Sequence, residues 1–265
     1  MTSIPPYRVE AYNTAKQSEN KIHDDAVARR YGFSGGLVPG VEVMAYMMHL
    51  PIARWGRTFL ERGRIEARFV KPVYDGETAE VSGEDDGGAL ALRVESRGIL
   101  CATGAASLPD KTERIALADY PETPPLAERR PLGDDAFKVG EWLAPAPRSW
   151  SNKEFTEYLA EVRATDQIYR DAGALHPGIF QRIMNQVLVQ NVVLGPWIHV
   201  GSTMQLLSSA HPHEELTARA RVTANDDRKG HRFAEFDALI VADGKRPVAH
   251  CHHVAIFRPR EQAAA

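Results

Sequence analysis

Across residues 41–50 the apolar positions Val41, Met44, Ala45, Met47 and Met48 wrap most of a helical circumference, which predicts a buried helix. Pro51 is expected to kink or end it, leaving Arg54 and Arg57 near the exit. The period then changes from helical to two. Residues 65–70 alternate, 72–76 turn, and 77–82 alternate again. Asp85-Asp86-Gly87-Gly88 is a hairpin signal leading into 90–96, and Arg97-Gly98 turns into 99–108. Ahead of the helix, residues 7–12 read as a short strand. Residues 24–31 read as a short helix, with Asp24 and Asp25 at its positive end and Gly32 closing it. A buried helix followed by an antiparallel meander predicts an α+β unit whose sheet wraps the helix.

The same order is then written a second time. Residues 152–162 are weakly helical, and His176-Pro177-Gly178 opens an apolar helix over 179–193. Strands are expected at 197–207, 216–222, 233–241 and 248–257, with turns at 226–230 and at Asp243-Gly244-Lys245. Pro39-Gly40 and Pro177-Gly178 stand 138 residues apart (177 less 39), and the elements after each correspond one to one. The pattern therefore divides the chain into a first unit over 1–110, a linker over 111–140 and a second unit over 141–265. The linker carries Pro121, Pro124, Pro125 and Pro131 with charges between them and no apolar period, and so reads as a surface crossing.

Composition narrows the function classes. A net charge of −3 does not favour nucleic acid as a partner. No segment approaches the roughly 20 apolar residues of a membrane span, and the first residues lack the pattern of a signal peptide. Cys101 and Cys251, at unrelated spacing, suit a reducing compartment, so a cytoplasmic protein is expected. Of the histidines, His250 and His252 would share a strand face, yet no cysteine or carboxylate stands at a supporting spacing, so no metal site is expected. Gly35-Gly36 is a turn, not a dinucleotide fingerprint. The basic residues Arg54, Arg57, Arg62, Arg64, Arg68 and Lys71 read as a solvated face or as contacts for a phosphate.

Chemistry concentrates in Asn20-Lys21-Ile22-His23, which is followed by Gly32-Phe33 and by Gly40 at the start of the buried helix. A histidine titrates near neutrality and can move a proton. An asparagine three residues earlier can orient it, and a helix N-terminus can receive a developing negative charge. Read plainly, His23 caps a short helix and Asn20 forms a turn.

This stretch resembles the MaoC-like (R)-specific enoyl-CoA hydratases. Their motif runs Asp-x-Asn-Pro-[Ile/Leu]-His, then a Gly-Phe turn, then a glycine opening the central helix. Asn20, Ile22, His23, Gly32-Phe33 and Gly40 match it; Ser18 stands in place of the aspartate and Lys21 in place of the proline. The resemblance implies a double hot-dog, two antiparallel sheets each wrapped around a long central helix, with a thioester site between the halves. It also implies a hydro-lyase acting on an enoyl or 3-hydroxyacyl substrate carried as a CoA thioester, with no other cofactor. His23 would be the acid–base residue, Asn20 its orienter and the Gly40 N–H the oxyanion donor. Ser18 can place a water but cannot accept a proton near neutral pH. A carboxylate from elsewhere would have to replace the aspartate, with Asp166 the first candidate and Glu42 the second. Asp166, Tyr169 and His176 precede the second helix and would offer polar contacts to substrate, along with Ser18 and Glu42; turn and cap chemistry is their plainer reading. Some hot-dog thioesterases carry a carboxylate on the central helix, so an acyl-CoA thioesterase using Glu42 is an alternative, against a carboxylate that merely faces the helix dipole. A non-catalytic acyl-binding or helper protein is another. A homodimer is left open.

Overall fold

The computed structural model describes residues 4–111 and 114–260. The first half runs β1 (Tyr7–Glu10), a 3-10 turn (Lys21–His23), α1 (Asp25–Arg30), α2 (Gly40–Met47), α3 (His49–Trp55), α4 (Arg57–Arg62), β2 (Arg64–Phe69), β3 (Thr78–Asp86), β4 (Ala89–Ser96) and β5 (Ile99–Ser107). After β6 (Arg130–Pro131) the second half runs β7 (Trp142–Leu143), α5 (Asn152–Glu161), α6 (Ile168–Asp171), α7 (Gly178–Val189), β8 (Val192–Val193), β9 (Ile198–Leu206), β10 (Leu216–Arg228), β11 (His231–Ala242) and β12 (Arg246–Arg258).

Ten strands form one antiparallel sheet in the order β1-β3-β4-β5-β2-β9-β12-β11-β10-β7. Counting each half's own strands from its outer edge, both halves read first, third, fourth, fifth, second, so the duplication seen in the sequence is also one of topology. The halves join where β2 pairs with β9, from Arg64 opposite Gln205 to Arg68 opposite Gly201. That seam removes two sheet edges that would otherwise expose unpaired backbone groups. The helices α2 and α7 pack on each other, α2 against β4 and β9 and α7 against β10. Every residue of α2 after Gly40 is buried. Met44 and Met47 have no exposed surface, and burying each contributes about 1.5–3 kcal/mol.

Local chemistry sets the helix boundaries. Asp24 accepts from the Ala26 and Val27 N–H groups and starts α1. Ser151 and Glu154 form a reciprocal capping box at α5. Pro51 does not end the central helix as the pattern predicts. The break comes earlier, at Met48, and Pro51 lies in the first turn of α3, where a missing N–H costs little. The second central helix is shorter than expected. Asn191 donates through Nδ2 to the Val187 carbonyl at 2.8 Å, and the β-branched pair Val192-Val193 runs as β8 alongside β6. The turn expected at 226–230 shrinks to Lys229-Gly230, both at positive φ, because β10 continues through Arg228 with Asp226 neutralised by that arginine at 2.8 Å.

The linker segment is docked. Tyr120 and Phe137 are buried, the Tyr120 hydroxyl donates to Asp237 of β11 at 2.8 Å, and Arg219 donates to the Tyr120 carbonyl at 2.9 Å. Anchors spaced irregularly leave no apolar period, which is why the stretch reads from sequence only as a surface crossing.

Candidate functional site

Asn20 and His23 sit on the 3-10 turn that Asn20 itself caps, its Oδ1 accepting from the Ile22 N–H at 3.4 Å. The His23 Nδ1–H donates to the Leu37 carbonyl at 2.6 Å. A carbonyl only accepts, so Nδ1 holds the proton and Nε2 carries the lone pair. Asn20 Nδ2 lies 3.3 Å from that Nε2 and also donates to the Trp197 carbonyl at 2.9 Å, while the Trp197 N–H donates to Asn20 Oδ1 at 3.1 Å. Asn20 thus orients the imidazole and straps the motif to the second half. Burial holds the His23 pKa below its ordinary value, against a smaller opposing pull from the Leu37 carbonyl, so the imidazole is neutral at pH 7.

Gly36 earns its place by proximity. A Cβ there would stand 2.1 Å from the His23 carbonyl oxygen. Gly36→Ala is therefore expected to push the His23 backbone outward, costing about 1–3 kcal/mol of stability and a larger share of any activity. Thermal melts of the pair measure the first effect, and unchanged melting would contradict the packing described.

Two cavities meet at His23. One, of about 300 Å³, is walled by apolar side chains, among them Phe33, Leu37, Val43, Phe69 and Val73, and reaches Gly40 and His199. The other is a cleft of about 1020 Å³ lined by charged groups that include Glu42, Arg129, Arg148 and Arg182. Asn20, His23, Pro39, Asn185 and Trp197 line both. At this junction Asn185 Oδ1 and Trp197 Nε1 are buried without a hydrogen-bond partner. A Cβ on Gly40 would meet Phe69 at 3.1 Å and His199 Nδ1 at 3.0 Å, so glycine keeps this helix start open to the cavity.

The remaining sequence candidates are placed differently. Ser18 lines the cleft, but its hydroxyl donates to the Asn20 carbonyl at 3.3 Å and not to His23. Glu42 is 2 % exposed; its Oε1 accepts from Thr14 at 2.9 Å and from Arg182 Nε at 2.9 Å. Burial raises the Glu42 pKa and Arg182 draws it back in part. Arg182 also reaches Glu161 at 2.9 Å and lies 4.4 Å over the Tyr158 ring.

Asp166 does not reach His23: it pairs with His49 Nδ1 at 3.0 Å. Nor do Tyr169 and His176 line either cavity. Both are 2 % exposed, and His176 Nδ1 accepts the Gly178 N–H at 2.9 Å. A Cβ on Gly178 would stand 2.2 Å from the Tyr158 hydroxyl. The second copy's helix start is therefore plugged by its own side chains, and the first copy's is the open one. Sequence reading misses Arg182, Asn185, Trp197 and His199; the first two carried a weak signal, standing with Gln181 and Gln186 as the polar residues of a mostly apolar helix.

Elsewhere, His250 pairs with Asp237 at 2.6 Å and His252 with Glu235 at 3.2 Å. Among the described residues no group of three His, Cys, Asp or Glu is placed to hold a metal ion. Among the described residues no helix is long and apolar enough to cross a membrane.

No family model matches the chain. No curated protein matches it either. Solved structures do. A protein of Chloroflexus aurantiacus described as a MaoC-domain dehydratase superposes at TM-score 0.67 with 8 % identity, over 96 % of this chain and 93 % of that one. A protein of Mycobacterium tuberculosis described as having a double hot-dog fold superposes at 0.63 with 14 % identity, over 97 % and 96 %. One from Lactobacillus plantarum described as an oleoyl thioesterase reaches 0.53 with 8 % identity, over 96 % of each. The chain has the double hot-dog fold, its two sheets fused edge to edge into one.

Proposed function

We propose that this double hot-dog chain is a MaoC-like hydro-lyase that adds water to, or removes it from, an enoyl or 3-hydroxyacyl thioester. One observation carries the reading: a neutral His23, its Nε2 oriented by Asn20 Nδ2 at 3.3 Å, borders both an apolar cavity and a charged cleft, and the open helix start at Gly40 lies in that same apolar cavity. The apolar cavity suits an acyl chain. The cleft is roomy enough for the pantetheine arm of a CoA-type carrier, and Arg129 and Arg148 on its walls, paired in the free protein to Glu19 at 2.7 Å and Glu154 at 3.5 Å, would turn to its phosphates by exchanging those partners.

In the hydration direction, water adds to the β-carbon while His23 Nε2 takes one of its protons. The π electrons move onto the thioester oxygen as an enolate, and the Gly40 N–H at the positive end of α2 stabilises that charge. The enolate then collapses, and the imidazolium returns its proton to the α-carbon. Ser18 cannot serve as acid and no carboxylate contacts His23, so this one imidazole does both transfers, which a neutral resting state allows.

Turnover of a chain-length panel of 2-enoyl-CoA thioesters tests the proposal. His23→Ala is expected to lower kcat/KM on the order of 10²- to 10⁴-fold. The wild-type rate should hold at neutral pH and fall on acidification only below the ordinary histidine value of about 6.5, because burial depresses the His23 pKa. An intact mutant rate, or acyl-CoA binding without turnover across the panel, would overturn it; the latter is what an acyl-binding or helper protein would show.

Thioester hydrolysis through Glu42 is the second reading. It is favoured by the unpartnered Oε2 of a carboxylate in the cleft wall. Arg182 beside that carboxylate weakens it as a base, and release of free thiol from acyl-CoA separates the two reactions. Two buried free thiols, Cys101 and Cys251, accord with a cytoplasmic setting.

A further inference from the structure

The His199 side chain enters the apolar cavity from the second half, and beneath it runs a buried chain of hydrogen bonds. His199 Nε2 lies 2.8 Å from Ser202 Oγ, and Ser202 Oγ lies 2.9 Å from His253 Nδ1. The two rings stack at 4.2 Å. His199 is 6 % exposed and His253 is 0 % exposed. The outer nitrogens, His199 Nδ1 and His253 Nε2, have no partner.

One hydroxyl has one proton to give, so the chain has two arrangements for neutral rings. If Ser202 donates to His253, the orphaned N–H is His253 Nε2, sealed in the core. If Ser202 donates to His199 Nε2 and accepts from His253 Nδ1, the orphaned N–H is His199 Nδ1, equally buried but on a ring that lines the cavity, where a ligand oxygen can become its partner. A sealed N–H without a partner is the costlier defect, and an unused lone pair is better tolerated. The second arrangement therefore prevails and aims a donor at the open end of α2. Burial holds His199 down at about 3, outweighing a small opposing contribution from the Gly201 backbone, so the ring stays neutral and cannot short-circuit His23 by protonating.

We infer that His199 Nδ1–H is a second oxyanion donor, working beside the Gly40 N–H on the thioester oxygen of the substrate, with Ser202 and His253 fixing its tautomer. This rests on the hydro-lyase reading and assigns part of the substrate stabilisation to a residue outside the motif. A neutral imidazole is the stronger choice here, since it polarises the oxygen without surrendering a proton to the enolate. His199 Nδ1 stands 3.0 Å from where a Cβ at position 40 would lie, which puts donor and helix start beside one small volume.

The experiment joins kinetics to a direct measurement of the ring. His199→Leu is expected to lower kcat for enoyl-CoA hydration about 10²- to 10³-fold with little change in KM, the loss typical of one oxyanion donor. His199→Asn, which returns an N–H close to the Nδ1 position, should recover part of that loss. Ser202→Ala should lower kcat at unchanged KM by letting the tautomers mix. In the wild type, ¹⁵N spectra of labelled histidine should show His199 protonated at Nδ1. A ring protonated at Nε2 overturns the inference whether or not the protein turns over. So do folded His199→Leu and Ser202→Ala variants with wild-type kcat while His23→Ala is dead, an outcome that leaves the hydro-lyase reading standing. Absence of wild-type turnover over the whole panel takes down that reading and the oxyanion role together.

Discussion

Arg182→Met will destabilise the protein by about 3–5 kcal/mol, because it strands the Glu42 carboxylate in a site where only Thr14 remains to it. Glu42 is 2 % exposed, so water from the cleft replaces the lost guanidinium only in part. The pair also bridges the halves, Glu42 from α2 and Arg182 from α7, and its loss weakens the packing between the two central helices. The double variant Glu42→Leu/Arg182→Met should regain most of the loss, since an apolar pair of similar size needs no desolvation. Urea denaturation of wild type, single and double variants decides it. A double variant no more stable than Arg182→Met would show that the arginine acts through Glu161 and Tyr158 and not through the buried carboxylate.

Acid will unfold the protein well before its carboxylates titrate. His176 and His199 are held at about 3 and His253 well below its ordinary value, all by burial. In the unfolded chain each titrates near 6.5, so below that pH the unfolded state binds more protons and stability falls as pH falls. The stability of these neutral rings is whole above about pH 6.5 and drains away between there and about pH 3. At pH 5 the loss comes to about 2 kcal/mol each for His176 and His199, or about 4 kcal/mol for the two, with His253 adding in the same direction, a large share of a typical domain's total. Glu42 works the other way, since its raised pKa makes proton uptake favour the folded state, but it is one group against three. Denaturant midpoints at pH 7.5 and pH 5.0 measure the effect, and equal midpoints would mean that these rings gain water or partners on protonation.

The order of elements and the two Pro-Gly helix starts were legible because each depends on local pattern, whereas the strand order was not: a plain meander would set β2 beside β3, and β2 lies between β5 and β9. Strand alternation, Asp24 and Gly32 at the ends of α1, and the two Pro-Gly steps are written in neighbouring residues. Asn20, His23 and Gly40 were legible as a motif for the same reason. Asp166 was not, since its partner His49 stands 117 residues earlier and nothing near either one announces the pair. Tyr169 and His176 looked like site residues because they mirror the position of the motif. The difference lies in Tyr158, whose hydroxyl fills the space that Gly40 keeps clear in the first copy. His199 and Trp197 belong to the site through atoms left unpaired, a property defined only once every other polar group has found its partner.

Asn20 holds the second half by the main chain of Trp197, through one amide N–H and one carbonyl, and not by its indole. The clasp is therefore indifferent to which side chain occupies position 197, although that side chain forms a wall shared by both cavities. Anchorage and shape are carried by different atoms of one residue. A lineage, or a designer, can recut the wall at 197 to admit ligands of other shapes while the imidazole of His23 stays in register.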